Sequence, residues 1–116
     1  MDMQQGYVLL PRIRMILNEL QRAMQEAIDT RKPFSPQGFK YTPTESETAT
    51  QGKNREKHTF TFSTTDEQGN SKKLSLLCES HMRITDGDRI YFYADTDSKI
   101  VYVGHIGQHL PCKNYN

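Results

Sequence analysis

Apolar residues change their repeat along this chain, and that change fixes the fold class. Between Leu10 and Thr30 they fall at Ile13, Ile16, Leu17, Leu20, Met24, Ala27 and Ile28. Spacings of three and four gather these positions on one side of an α-helix. Beyond residue 57 apolar and polar residues alternate, which is the repeat of a half-buried strand. His58-Thr59-Phe60-Thr61-Phe62-Ser63 puts Phe60 and Phe62 on one face, and Lys73 to Cys78 aligns Leu74, Leu76 and Cys78. Arg89 to Ala94 sets Ile90, Phe92 and Ala94 against Arg89, Tyr91 and Tyr93, and Ile100 to Ile106 supplies a last strand. The turn segments Asp66-Glu67-Gln68-Gly69-Asn70 and Asp95-Thr96-Asp97-Ser98-Lys99 are short, so successive strands are expected to be antiparallel neighbours. The expected fold is α+β: one long amphipathic helix over about residues 11–30, packed on a four-stranded antiparallel β-sheet meander over about residues 58–107. Each element supplies the apolar surface that the other needs.

Boundaries follow from backbone chemistry. Pro11 suits a first helical turn, where its missing N–H costs nothing, and Pro33 forbids continuation after Arg31-Lys32. Residues 42–57 contain one apolar side chain, Ala49, among Thr, Ser, Glu, Lys and Gln, and a mobile polar loop is expected there. With 116 residues, of which 34% are hydrophobic, the chain suits one domain with a small core and a short C-terminal tail.

Charge is nearly balanced, 15 Lys+Arg against 14 Asp+Glu, which excludes a uniformly basic nucleic-acid coat but not a local basic site. No apolar run approaches the roughly 20 residues of a membrane helix, so no membrane partner is expected. The first residues, Met1-Asp2-Met3-Gln4-Gln5-Gly6, lack a basic start followed by an apolar run, and a cytoplasmic location is expected. The two cysteines, Cys78 and Cys112, then read as free thiols or metal ligands rather than a disulfide.

The residues fit no phosphate-binding glycine loop, no G-x-S-x-G elbow and no H-E-x-x-H. Three of the four histidines, His81, His105 and His109, flank Arg89, Tyr91 and Tyr93, whose side chains share one strand face. Arg89 suits charge stabilisation, histidine suits proton transfer near neutral pH, and tyrosine suits stacking on bases. Gly104 and Gly107 bracket His105, a pattern that marks a bulge or a close approach by another group. Cys78, His81, His105, His109 and Cys112 could supply tetrahedral zinc ligands. Cys78 belongs to an apolar strand face and Cys112 to the tail, so the expectation is a site without metal or other cofactor. Asp86, Asp88, Asp95 and Asp97 sit in turn segments, where Asp is favoured for backbone reasons.

The segments Asp88-Arg89-Ile90-Tyr91-Phe92-Tyr93 and Lys99-Ile100-Val101-Tyr102-Val103-Gly104-His105 resemble the compact ribonuclease toxins of the RelE/ParE superfamily. The resemblance spans about residues 72–110, with the helix as weaker support. It implies a toxin of a toxin–antitoxin pair that cleaves messenger RNA without a metal, or inhibits gyrase as in the ParE branch. An antitoxin protein would be its partner, and RNA or the ribosome its target. Arg89 would match the family's strand arginine, His105 the polar residue closing the last strand, and Tyr115 the C-terminal tyrosine of some members. Attack by a ribose 2′-OH on its own phosphodiester needs a base, an acid and a charge stabiliser. His105 or His109 would serve as base or acid, Arg89 with Arg83 as stabiliser, and Tyr91 or Tyr93 as the stacking platform. The alternative reading is a non-enzymatic protein-binding module that uses the same tyrosine-bearing face.

Overall fold

Two sheets form where one was expected. In the computed structural model, which describes residues 3–44, 52–108 and 110, the order is α1 (Met3–Thr30), α2 (Gly52–His58), β1 (Thr59–Thr65), β2 (Ser71–Leu77), β3 (Ser80–Arg83), β4 (Asp88–Asp95) and β5 (Ile100–Gln108). Strands β1 and β2 make an antiparallel hairpin of their own, and β3-β4-β5 make a three-stranded antiparallel sheet. The α+β class stands, but the single four-stranded meander does not: Phe60 and Phe62 lie in the hairpin, Ile90 and Phe92 in the other sheet. The extra strand is β3, in a segment whose four residues are too few for alternation to declare itself. Its pairing, Met82 with Ile90 and His81 with Tyr91, takes the edge of β4 that β2 would have used.

Helix α1 also departs from expectation at its start. It begins at Met3, and Pro11 lies inside it, so the helix forgoes one hydrogen bond, to the Tyr7 carbonyl, yet continues. Its end matches expectation: Arg31 turns left-handed at φ 55°, the conformation that closes helices, and Pro33 follows. Of the expected polar loop, Thr42 forms a bridge to His81 and Gly52–His58 is helical; residues 45–51 lie outside the described residues.

The main core sits between α1 and the three-stranded sheet. Ile16 and Leu20 pack with Met82, Ile84, Ile90 and Phe92, and Phe34, Phe39 and Tyr41 close one side. Burying each of these large side chains contributes roughly 1.5–3 kcal/mol. Arg12 donates to the Ile84 carbonyl at 2.7 Å, tying the helix to the β3–β4 turn. Gly38, Phe39 and Lys40 are consecutively left-handed, at φ 78°, 52° and 46°. That strain is offset where Phe39 enters the core and its carbonyl accepts from the Arg83 amide at 2.7 Å.

The hairpin packs on the opposite side of the three-stranded sheet. Tyr91 pairs with His105 and Phe92 with Val103, so Gly104 is the extra residue of a β-bulge. A Cβ there would lie 2.6 Å from Phe60 Cδ2 and 2.9 Å from Cys78 Sγ. Gly104→Ala is therefore expected to lower unfolding free energy by about 1–3 kcal/mol in urea titrations, because the Phe60 ring and the buried thiol must both give way. Gly87 has open space around its Cβ direction. Gly87→Ala is expected to stay within about 0.5 kcal/mol of the parent.

Candidate functional site

Alternation along β3, β4 and β5 sends Met82, Ile90 and Phe92 toward α1, and His81, Arg83, Arg89, Tyr91 and His105 to the other face. Five polar or aromatic residues singled out from the sequence are thus brought onto one surface. The hairpin and the end of α2 cover it. Tyr91 is fully buried, and the rings of His81, His58 and His105 lie 5.0, 5.5 and 6.0 Å from its own. Phe60 stacks on His105 at 6.4 Å, and Phe62 meets Tyr102 at 5.2 Å. These separations suit edge-to-face and offset aromatic packing.

The polar atoms of this layer are directed at the chain itself. The Tyr91 hydroxyl accepts from the Leu110 amide at 3.1 Å. His105 Nε2 lies 2.9 Å from the Gln108 carbonyl, a contact in which Nε2 carries a proton and donates. Arg89 is 8% exposed, and its Nη1 donates to the carbonyls of Thr85, Asp86 and Asp88 at 2.8, 3.2 and 2.9 Å. This guanidinium closes the β3–β4 turn. Arg83 stands directly opposite Arg89, an unfavourable pairing of like charges that is relieved because Arg89 folds into the turn. Arg83 Nη1 reaches Asp86 at 4.0 Å, while its buried Nε has no hydrogen-bond partner among the described residues.

Tyr93 is displaced from this cluster and is 39% exposed. His109, Cys112 and Tyr115 lie outside the described residues. Among the described residues no three His, Cys, Asp or Glu side chains converge as a metal site, and no helix is long and apolar enough to cross a membrane. His58 is the member that sequence reasoning missed. It is the last residue of α2, fully buried and edge-on to Tyr91; the alternation puts it in step with Phe60 and Phe62, but a polar side chain that follows a polar segment does not announce burial.

A second surface lies on the helix side. Leu17, Leu20, Met24 and Ile28 of α1 and Val101 and Val103 of β5 line an open groove of about 390 Å³, with Gln21, Gln25 and Lys99 at its margin. Leu17 is 39% exposed, so the helical stripe is wider than the sheet beneath it. Strand β5 is an edge: β4 is its only hydrogen-bonded strand neighbour among the described residues.

No family model, curated protein or solved structure matches this chain.

Cys78 lies beneath the hairpin, and burial pushes its thiol up to about 11, partly offset by the Gly104 amide. Burial raises Tyr41 as well, partly offset by Ser80. Both groups are held protonated in the native state. Above a thiol's ordinary value of 9.0 the unfolded chain releases its proton while the folded chain keeps it. Stability is expected to be undiminished by these groups below that value and to fall through about 11, read as a declining urea midpoint. The decline should be shallower in Cys78→Ala. Alkylation of Cys78 in a Cys112→Ser background should be slowed about a hundredfold or more near neutral pH, through its lower thiolate fraction and its burial.

Proposed function

We propose that this domain is a non-enzymatic protein-binding module that takes an extended, uncharged apolar segment of its partner along the α1–β5 side. The carrying observation is the groove lined by Leu17, Met24, Ile28, Val101 and Val103 beside β5, an edge strand among the described residues. Main-chain groups on a strand edge supply affinity, and alternate side chains entering a groove supply selectivity. The tyrosine-bearing face is a poorer docking surface, since Tyr91 and Tyr102 are buried beneath the hairpin. The groups that would run RNA cleavage already serve the fold: Arg89 holds the turn and the Tyr91 hydroxyl takes the Leu110 amide.

One observation favours the RelE-like endoribonuclease reading: Arg83, Arg89, Tyr91, His81 and His105 share a face, and His105 is half-buried with its Nε2 held by the Gln108 carbonyl. An antitoxin would then be the partner.

Overexpression separates the two readings. For the binding module, growth continues at the rate of an empty-vector control and purified protein leaves a messenger RNA intact. Growth arrest with RNA cleavage, both abolished by His105→Ala in a variant of unchanged circular dichroism, would overturn it in favour of the toxin.

A further inference from the structure

The two edges of the three-stranded sheet are treated differently. On the β3 side, Thr42 and His81 exchange hydrogen bonds of 2.8 and 2.9 Å, and the Arg83 amide reaches the Phe39 carbonyl. That edge is occupied. On the β5 side, nine residues, Ile-Val-Tyr-Val-Gly-His-Ile-Gly-Gln, run without an Asp, Glu, Lys, Arg or Pro. Exposed edges are ordinarily blunted by charge or proline, because an unblunted one templates pairing. The Gly104 bulge is the one register shift in its pairing with β4.

The helix-facing side of β5 differs between its ends. Near Val101 and Val103 it forms the floor of the groove under Leu17, Met24 and Ile28. Near the other end Ile106, which pairs with core residue Ile90 and so points to the same face, is 45% exposed. A groove and a projecting isoleucine therefore lie at opposite ends of one strand, on one face. A two-fold axis perpendicular to the sheet would set two β5 strands antiparallel and bring each groove end against the other copy's isoleucine end.

Resting on the binding-module reading, we propose that the segment taken along the α1–β5 side is β5 of a second copy of this chain. The two three-stranded sheets then join into one, and Ile106 of each copy enters the groove of the other. The occupant must bring an open strand edge, apolar residues at alternate positions and no charge to desolvate. Strand β5 itself meets all three conditions. Because no residue from Ile100 to Gln108 is Asp, Glu, Lys or Arg, no register of the pair sets like charges of the two strands opposite each other.

Sedimentation equilibrium and light scattering on the purified chain test the proposal, with Ile106→Glu and Leu17→Glu as variants. Both side chains are partly exposed, so both variants are expected to keep the parent's circular dichroism, while the concentration-dependent part of the parent's melting temperature is lost with the dimer. The wild type is expected at twice the chain mass of 13.5 kDa. Each variant is expected to weaken the dimer at least about a hundredfold, because a carboxylate would be buried in an apolar contact. A wild-type monomer would overturn the proposal, as would a dimer that survives both substitutions. A monomer that retains a different protein, and loses it with Leu17→Glu, would overturn the second copy as occupant while leaving the binding module standing. A monomer whose β5 amides lose exchange protection when residues 111–116 are removed would assign the edge to the chain's own tail instead.

Discussion

The layers of this protein meet where β5 has no side chain. At Gly104 the Phe60 ring and the Cys78 sulfur occupy the space a Cβ would take. That approach lets the hairpin lie against the back of the three-stranded sheet and not beside it. Once the hairpin is there, Phe60 covers His105, Phe62 meets Tyr102, and His58 at the end of α2 closes over Tyr91. The front of the same sheet is then left to α1. A chain with 34% hydrophobic residues thus builds two thin layers of packing, one aliphatic against the helix and one aromatic and imidazole-rich against the hairpin.

The second layer explains why several residues that look chemical are structural in their contacts. Imidazole and phenol rings present flat apolar faces and a few polar atoms, so they fill space between two sheets if each polar atom finds a partner. Tyr91 meets that condition through Leu110, and His105 through Gln108. Arg89 meets a related one. Its long side chain supplies donors to three carbonyls of the turn, adding to the backbone bonds that the Thr85 and Asp88 carbonyls already accept.

The sheet's two edges show a similar economy. Three left-handed residues, Gly38 to Lys40, bring Phe39 into the core and carry the chain past β3, whose edge is thereby closed. No comparable segment runs past β5 among the described residues, and the helix above it carries apolar side chains beyond the sheet. The strain at residues 38–40 secures one edge, and the apolar overhang of α1 gives the other its character.

Local repeats were enough to identify α1, the β1–β2 hairpin, β4 and β5, and to put Ile90, Phe92 and Ala94 opposite Arg89, Tyr91 and Tyr93, because the side-chain period of a helix or strand is written into neighbouring residues. The glycines around His105 likewise marked the bulge and the close approach. The helix start was missed because Pro11 reads as a boundary while the residues before it carry no strong stripe. Strand β3 was missed because four residues contain too little pattern. Whether Phe60 and Phe62 extend the sheet or lie across it, and whether Leu17 meets a core or an open groove, depends on the packing of segments distant in sequence. The sequence determined the elements and their faces through short-range periodicity. The tertiary structure alone decided which faces meet, that Tyr91 is enclosed by three histidines, and that β5 is an edge strand among the described residues. Those outcomes depend on long-range shape, and above all on what fits against a residue with no side chain.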